Sequence, residues 1–415
     1  MSAGEFDVVV VGGGPNGATV AALLARHSGL PAQRIALLAP AAAPAPISAA
    51  AEPELRVFAL SRASEQVLRH AGAWERLPQA RLCAYQRMRI WHESVPPDGV
   101  DTLCFDAAEL AEPNLGYTVE NRPLWQASLA SFVASGGTLI DATLSSVRMA
   151  EAAACLSSSA GEIRTRLLVG ADGADSLVRI QLGWSSSEHD YQQRALVATI
   201  ATARPHQHCA WQRFTAEGTL AFLPLFNGEC SIVWSVSAAR AAALLALDAA
   251  PFEAELARAS DRVLGAVQLR SQRVAVPLQR RTARRLVGAR VALLGDAAHL
   301  IHPLAGQGVN LGLLDAAALC EAVGDAVAER EDPGALRALR RYEQQRFSHD
   351  VLMSYGMSAF NGLFARGGIG GWLAARALGV AGSSAVTRRL FARRALGIAG
   401  ELPRWARAGA ARTAQ

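Results

Sequence analysis

The chain has 415 residues, of which 51% are hydrophobic and 19% charged, a composition that excludes extensive disorder and allows a large buried core. Its net charge of +5 comes from arginine, because the sequence contains no lysine, and a lysine nucleophile or Schiff base is therefore excluded. So small and scattered a positive charge does not indicate nucleic-acid binding. The length of the chain suggests about two domains.

The N-terminal segment, residues 6–25, is apolar enough for a signal peptide or a membrane span. However, it opens with Glu5 and Asp7, lacks a basic start and is interrupted by three consecutive glycines. A strand, a turn and a helix account for it better. No other uninterrupted apolar run reaches the length of a spanning helix, so we expect a cytoplasmic protein, soluble or peripheral.

The first motif is Gly12-x-Gly14-x-x-Gly17, which follows a β-branched strand at 7–11 and precedes a helix at 18–26. Gly12 permits the tight turn, Gly14 lets the backbone approach a pyrophosphate, and Gly17 lets the helix pack on the strand. This context predicts a dinucleotide site in a βαβ unit. The alternative is a glycine-rich turn in an unrelated α/β protein.

The second strand of this unit, 34–39, departs from the usual pattern at its end. Such strands commonly end in Asp or Glu, which binds the adenosine ribose hydroxyls. Here the position is Ala39, followed by a loop rich in Ala and Pro to residue 53. The ribose contact therefore lacks its usual carboxylate, whereas the pyrophosphate site is intact. Beyond the loop, a helix is predicted at 64–74 and a strand at 82–91.

Six cysteines are present and none forms a CxxC pair, which argues against zinc and thioredoxin-like sites. Buried, reduced thiols in a cytoplasmic protein are the better interpretation. They are Cys83, Cys104, Cys155, Cys209, Cys230 and Cys320.

The second motif, residues 170–179, reads Gly-Ala-Asp-Gly-Ala-Asp-Ser-x-Val-Arg and centres on Asp172. A buried strand at 167–170 ends there and a helix begins; the alternative is a surface turn that caps a helix. Farther on, β-rich pieces at 195–201, 220–225 and 231–236 predict a mostly antiparallel sheet in a second domain.

The third motif begins where a buried strand, 290–294, delivers Asp296 to its end. A carboxylate there can accept hydrogen bonds from sugar-alcohol hydroxyls. A helix then runs to about residue 328, and the amides and dipole at its start can stabilise negative charge. The residues that open this helix are Gly306, Gln307, Gly308, Val309 and Asn310. His299 and His302 lack a metal-ligand spacing, so placement of the loop is preferred over a metal site.

The three motifs, in this order, resemble the FAD-dependent aromatic monooxygenases related to para-hydroxybenzoate hydroxylase. Additional segments resemble the ubiquinone-biosynthesis hydroxylases of that group, and the resemblance covers about residues 7–346. These segments are 56–61, 72–74, 116–121, 211–214, 221–225 and 302–315. The chain departs from the pattern at Ala39 and at Trp125, where Gln is common, and matches only loosely after Arg346.

The resemblance implies a non-covalently bound FAD and transient NADPH or NADH, with hydroxylation of a phenol through a flavin C4a-hydroperoxide. It places Arg56 near the flavin, Asp172 near the pyrophosphate and Asp296 on the ribitol. Since the cofactor carries the difficult chemistry, no catalytic acid or base is needed, and none is predicted.

The predicted fold is α/β. A Rossmann-like FAD-binding domain is assembled from residues 1–75, 106–183 and 277–340. A mostly antiparallel β-sheet substrate domain is inserted from 76–105 and 184–276, and a C-terminal helical region covers 341–415.

Three functions remain open on sequence alone. The first is hydroxylation of a polyprenyl phenol in ubiquinone biosynthesis, the second is hydroxylation of a small soluble aromatic, and the third is a flavin-binding accessory protein without turnover. A long apolar tunnel favours the first, and a closed polar pocket favours the second. The expected partners are the phenol and O2. Contact with a membrane surface or with a quinone-biosynthesis complex is left open, and so is a homo-oligomer.

The C-terminal part is the candidate membrane contact, on the inner face of the membrane, because between 363 and 405 apolar residues alternate with arginines. The alternative is that these helices pack on the flavin domain with their arginines in solvent. The apolar residues are Phe364, Ile369, Trp372, Leu373, Leu378, Leu390, Phe391, Leu396 and Trp405, and the arginines are Arg366, Arg376, Arg388, Arg389, Arg393 and Arg394.

Overall fold

The computed structural model of the protein describes residues 4–40, 47–48, 50–301, 307–346 and 402–407. Its helices and sheets confirm the predicted α/β class. The helices are α1 (Pro15–His27), α2 (Arg62–His70), α3 (Asn121–Ala134), α4 (Leu177–Gln181), α5 (Ala238–Ala246), α6 (Ala249–Ala259), α7 (Gln307–Ala328) and α8 (336–346).

The strands of the first half are β1 (Gly4–Val11), β2 (Ile35–Ala39), β3 (Val57–Ser61), β4 (Cys83–Tyr85), β5 (Arg87–His92), β6 (Leu103–Asp106), β7 (Gly116–Glu120), β8 (Thr138–Asp141), β9 (Leu144–Met149), β10 (Ala154–Ser158) and β11 (Gly161–Gly170). Those of the second half are β12 (Ser186–Thr202), β13 (Cys209–Thr215), β14 (Gly218–Pro224), β15 (Cys230–Ser237), β16 (Val267–Leu269), β17 (Val274–Ala283), β18 (Val287–Gly288), β19 (Val291–Leu293) and β20 (His299–Leu300).

The first sheet has a parallel centre in the order β19-β11-β1-β2-β8, with β18 antiparallel at one edge. Strand β10 pairs with β11, and β9 pairs with β10. Its central strand, β1, is apolar at every position from Val8 to Val11 because both faces are covered. Parallel pairing brings the ends of β1, β11 and β19 to one edge. The three sequence motifs follow these three strands, so the topology gathers them there.

The second sheet has nine strands in the order β20-β17-β12-β15-β14-β13-β5-β6, with β16 beside β12. All its pairings are antiparallel except β13 with β5, in agreement with the predicted mostly antiparallel sheet. Helices α5 and α6 cover one face, where Leu196, Trp234 and Phe252 belong to one buried apolar cluster. The motifs lie on the side of the other face.

A small third sheet has the strand order β3-β7-β4, with both pairings antiparallel. It holds the segment that precedes β3. The Arg81 guanidinium, 1% exposed, donates to both oxygens of Glu120 at 2.7 Å and to the carbonyls of Ser48, Ala51 and Glu52. The backbone N–H of Glu54 donates to Glu120 in turn. This buried ion pair fixes the path of the chain toward Arg56.

Residues 402–407 return to helices that belong to the main core. They lie against α1, α2 and α7: the Trp405 ring stacks on His27 at 4.3 Å, and Arg404 pairs with Asp325 at 3.1 Å. Of the candidate membrane contact between 363 and 405, only 402–405 fall within the described residues. Across the described ranges, no helix combines the length and the apolarity that a bilayer crossing requires.

Candidate active site

A cavity of about 1030 Å³ connects the edge of the first sheet with the open face of the second. At one end it is lined by the three motifs, including Gly12, Gly14, Asp172 and Asp296. At the other end it is lined by β12, β15 and β17 of the second sheet. Gly17, Arg56, Gly308 and Val309 also line it, so eight of the eleven predicted site residues surround one space.

The first motif forms a tight turn closed by the neighbouring loop. Gly12 has a φ of +110°, and a Cβ atom there would lie 2.3 Å from the carbonyl oxygen of Ala171. A Cβ on Gly17 would lie 1.8 Å from the oxygen of Gly12, whereas the space beside Gly14 is open. Helix α1 begins after Gly14 with Pro15 and without a side-chain cap. Its first amides and its positive dipole end therefore face the cavity.

The second motif places Asp172 between helix α4 and the cavity. Its Oδ2 accepts a hydrogen bond from the backbone N–H of Val178 at 3.0 Å. Its Oδ1 is buried and has no hydrogen-bond partner among the residues that the structure describes. A buried acceptor without a donor is costly, so this oxygen is suited to a ligand hydroxyl or amide.

Two arginines that the sequence analysis did not assign hold the second motif in place, and one of them also contacts the third. Arg179, 4% exposed, donates to the carbonyls of Ala174 and Ala297, each at 2.7 Å. Arg281 donates to the same Ala174 carbonyl and pairs with Asp175 at 2.9 Å. Burial lowers the pKa of Arg179. Arg179 thus sets the relative position of Asp172 and Asp296 across 124 residues of sequence.

The third motif is a single 3₁₀ turn, Gly295–Ala297, anchored from below by Asp315 of α7. Fully buried, Asp315 accepts from the backbone N–H of Gly295 at 3.0 Å, from His299 Nε2 at 2.6 Å and from Arg346 Nε at 2.7 Å. Burial opposes the charge on this carboxyl, but His299 and Arg346 hold its pKa well below its ordinary value. His299 is therefore a structural partner of Asp315.

Asp296 points from this turn toward the cavity, where its Oδ1 lies 3.7 Å from the place a Cβ of Gly308 would occupy. Burial raises the pKa of Asp296, and the charges of His299 and Arg56 partly oppose that rise. Arg56 and Asp296 both line the cavity. A cation and an acceptor thus lie beside the start of α7.

The start of α7 serves two purposes. Gly308 and Val309 line the cavity. The Asn310 side chain instead turns away, where its Oδ1 accepts from the backbone N–H of Ser61 at 2.9 Å and its Nδ2 donates to the carbonyl of Ala59. Asn310 thereby ties α7 to the chain segment that carries Arg56. Gly306 and His302 lie outside the described residues, and Gln307 is the first residue of the helix.

Asn16 is a cavity residue that the sequence analysis passed over, although it stands inside the first motif. A Cβ on Gly312 would lie 2.0 Å from Asn16 Nδ2, and one on Gly295 would lie 2.9 Å from the same atom. The amide is therefore inserted between the third motif and α7. Its Oδ1 is buried and, within the described ranges, has no hydrogen-bond partner. The only sequence signal was its place between two motif glycines.

These features fit FAD. A dinucleotide pyrophosphate needs a glycine cradle and a free helix N-terminus, and a ribitol needs acceptors such as Asp296 and the unpartnered oxygens of Asp172 and Asn16. The fit is poorest at the adenosine end. There Ala39 lies beside Gly13, and Pro40, Ala142 and Thr143 line the wall without a carboxylate.

Neither metal nor thiol chemistry is indicated in the described chain. No group of three ligating side chains there is arranged to hold a metal ion. All six cysteines are free. Burial raises the pKa of the Cys83 thiol to about 11 and those of Cys209 and Cys230 to about 12, so these thiols stay protonated and unreactive.

Comparison with known proteins agrees with this geometry. Residues 147–351 match the FAD binding domain family. The chain is 35% identical over 357 residues to 3-demethoxyubiquinol 3-hydroxylase of Escherichia coli K12, covering 85% of this chain and 88% of that protein. It is 34% identical over 396 residues to ubiquinone hydroxylase UbiL of Rhodospirillum rubrum, covering 94% and 89%. Human mitochondrial ubiquinone biosynthesis monooxygenase COQ6 is 30% identical, covering 84% and 83%.

Solved structures show the same fold. PqsL of Pseudomonas aeruginosa in complex with 2-aminobenzoylacetate superposes with a TM-score of 0.71 at 23% identity, covering 94% of this chain and all of that one. p-Nitrophenol 4-monooxygenase PnpA of Pseudomonas putida DLL-E4 also gives 0.71, at 18% identity and with 94% and 98% covered.

Proposed function

Because the chain belongs to the ubiquinone hydroxylase family of FAD-dependent monooxygenases, we propose that it hydroxylates the aromatic ring of a polyprenyl phenol in ubiquinone biosynthesis. The protein is an enzyme, its bound cofactor is FAD, and NAD(P)H is the electron donor. The observation that carries the substrate assignment is one cavity in which the flavin motifs continue into an apolar sheet face. The relatives named above act on ubiquinone precursors or in ubiquinone biosynthesis, which supports it.

The proposed roles of the site residues follow from their positions. Gly12, Gly14 and Gly17, with the free amides of α1, receive the pyrophosphate. Asp172 lies near it, and its unpartnered oxygen accepts a hydrogen bond from a hydroxyl of the adjoining ribitol. Asp296 binds the ribitol. Arg56 lies beside the flavin ring. The segment that opens α7 brings backbone amides to the flavin ring, where they can stabilise negative charge. Its residues are Gly306, Gln307, Gly308, Val309 and Asn310.

When bound, FAD takes electrons from NAD(P)H and activates O2, so the protein has to orient the ring and exclude water. We propose the domain division given by the sequence, with 1–75, 106–183 and 277–340 around FAD and 76–105 with 184–276 over the substrate. The pairing of β5 and β6 within the second sheet supports this division. The adenosine ribose is proposed to contact Thr143 in place of a carboxylate at Ala39.

The place where the enzyme meets its substrate is assigned from chemistry rather than from contacts. A polyprenyl phenol is too apolar to diffuse freely in water, so the enzyme has to meet it at a membrane or on a partner protein. We place this contact on the cytoplasmic side of the membrane, in the segment between 363 and 405. There, arginines flank apolar residues. Residues 402–407 pack on the flavin domain and are excluded from it.

The test is turnover by the purified protein. Heat should release FAD, and NAD(P)H oxidation should accelerate when a prenylated phenol is added, with one hydroxyl appearing on its ring. Equal or better turnover of an unprenylated aromatic would favour the small-substrate alternative. Bound FAD without NAD(P)H oxidation by any phenol would favour an accessory protein, and FMN or no flavin would contradict the proposal.

A further inference from the structure

The register of the second sheet separates its two faces residue by residue. On β12, Leu196 lies opposite Trp234 of β15 and faces helices α5 and α6. The alternate positions Ala195 and Val197 lie opposite Val276 and Val274 of β17. Side chains directly opposite each other in an antiparallel pair share a face, so these four share the face toward the cavity. All four line it.

This face forms an apolar trough across four strands. It begins at Leu223 of β14, crosses Val233 of β15 and Val197 of β12, and ends at Val274 and Val276 of β17. Leu223 is buried, at 4% exposed, whereas Val274 and Val276 keep 37% and 44% of their surface uncovered. Within the described chain, the outer side of residues 274–278 has no strand partner. The trough therefore runs from the interior to a sheet edge.

The Ser231 hydroxyl lies at the inner end of the trough. Ser231 of β15 lies opposite Leu223, is 0% exposed and lines the cavity. Its Oγ has no hydrogen-bond partner among the described residues. Leaving a buried hydroxyl unpaired is unfavourable unless a ligand completes it. Thr199 of β12 lies opposite Ser231, and its buried hydroxyl is likewise unpartnered among the described residues. The neighbours that line the cavity, Leu223 and Val233, are apolar, so the expected ligand is a mostly apolar molecule with a polar group at this depth.

We propose that Ser231 hydrogen-bonds a ring hydroxyl of the substrate and that its prenyl tail lies along the trough and leaves the protein over Val274 and Val276. This assignment rests on the proposed function and adds to it the direction of the substrate and the residues that select for a tail. The reacting ring lies at the inner end, beside Ser231, in the cavity that the third motif also lines. The tail end remains available to a membrane or a carrier.

The width of the trough sets how much tail the protein recognises. From β14 to β17 there are three strand spacings, a distance of about 14 Å. An isoprene unit adds four chain carbons, or roughly 5 Å when extended, so about three units fill the trough. Each unit up to that length buries apolar surface and strengthens binding. Units beyond it reach past the edge strand, so affinity is expected to level off.

The first experiment measures affinity against tail length. Substrate phenols with a methyl group or with one to five isoprene units are titrated into the FAD-bound protein, with the change in flavin absorbance as the readout and turnover beside it. The paired variant Val274→Thr with Val276→Thr keeps the β-branched shape but adds hydroxyls to the edge. It should lower the ratio of long-tail to methyl affinity by about tenfold.

Val133→Thr is the matched control, since Val133 is 50% exposed on α3 and lies outside the cavity. Its ratio should equal that of the unmodified protein. If the paired variant loses FAD or folds poorly, Val276→Trp, which narrows the exit, should lower the same ratio. A tail-independent affinity, or an equal loss for methyl and long-tailed phenols, would overturn the assignment of the exit.

The second experiment addresses Ser231. Ser231→Ala should weaken binding of the phenol about tenfold and leave binding of the same ring without its hydroxyl unchanged. Because it removes an unpaired buried polar atom, thermal stability of the substrate-free protein should stay equal or rise. Equal losses for both ligands, or reduced stability without substrate, would show that Ser231 only supports the sheet. If none of the phenols is hydroxylated, the proposed function itself fails. The binding ratios do not depend on turnover, so the two failures can be distinguished.

Discussion

Asp296 shows how burial and ligand chemistry compete at one carboxyl. Burial raises its pKa, so in the free protein this carboxyl keeps its proton to a higher pH than an exposed aspartate does. A raised pKa contributes stability below the ordinary value of 3.8, and that contribution is lost as the pH rises through the folded value. FAD is expected to have the opposite preference, because a carboxylate is the stronger acceptor for ribitol hydroxyls.

Affinity for FAD should therefore fall as the pH is lowered from neutrality through the raised pKa of Asp296. Asp296→Asn should weaken binding by about tenfold or more at neutral pH, the value of a charge-assisted hydrogen bond of about 1.5–3 kcal/mol. It should also flatten this part of the pH profile. The measurement is fluorescence titration of apoprotein with FAD, and an unchanged profile in the folded variant would remove Asp296 from the ribitol contact.

The residues that sequence could assign are those within a local pattern. Gly12, Asp172 and Asp296 were predicted because each follows a buried strand in a recognisable turn, and the structure brings them to one cavity. Arg179 and Ser231 escaped because their significance is not local. Arg179 acts on a carbonyl 118 positions away, and Ser231 differs from its strand neighbours only in lacking a partner for its hydroxyl.

Helices α7 and α1 approach closely at Gly312, which faces the Asn16 side chain. A Cβ there would meet Asn16 Nδ2 at 2.0 Å and Cγ at 2.6 Å, so an alanine has to displace the Asn16 side chain into the cavity. Gly312→Ala should destabilise the protein by about 1–3 kcal/mol, as other overpacked cores do, and weaken FAD binding. Thermal unfolding and FAD titration provide the two readouts.

Gly324→Ala is the control within the same helix, because its Cβ would lie 3.3 Å from the nearest atom, the carbonyl oxygen of His27. That contact offsets the gain of about 1 kcal/mol expected for alanine over glycine in a helix interior. FAD affinity should not change. If Gly312→Ala also leaves stability and FAD affinity unchanged, Asn16 moves freely and does not couple α7 to the site.

Elements were predictable where apolar runs were long and bounded. The prediction of strands at 7–11 and 34–39 and of a helix at about 308–328 agrees with β1, β2 and α7. Strand β12 was predicted only at 195–201, since residues 186–194 are polar and form a solvent-exposed ribbon with β17. Helices α5 and α6 were not predicted within the sheet-rich insert. The parallel pairing of β5 with β13 joins segments 117 or more residues apart, which no local period reveals.

Residues 402–407 pack on the flavin domain, far in sequence from the residues that they contact. Trp405 stacks on His27 and contacts His70 at 5.2 Å, while Leu402 and Ala406 enter the main core. Simple truncation after Ala359 would remove this contact together with the proposed membrane contact. Loss of liposome binding by such a variant could then come from a weakened fold. The two roles need separate variants.

The separating variant replaces Arg388, Arg389, Arg393 and Arg394 by Gln and keeps residues 402–407. Each arginine near an anionic surface contributes about 1 kcal/mol, so flotation with phosphatidylglycerol vesicles should fall sharply, while turnover of a short-tailed soluble phenol persists. Trp405→Ala, the counterpart, should lower the melting temperature and leave flotation intact. Binding of the unmodified protein should weaken as salt is raised, because salt screens surface charge.

If the quadruple variant floats as well as the unmodified protein, these arginines do not form the membrane contact. If Trp405→Ala instead abolishes flotation without a change in melting temperature, the tryptophan leaves its stack with His27 to reach the bilayer. The trough and the proposed membrane contact are linked, because a substrate whose tail passes Val276 has to continue into the bilayer or a carrier. Vesicle-embedded long-tailed phenol should therefore be hydroxylated more slowly by the quadruple variant, with soluble short-tailed phenol as the internal reference.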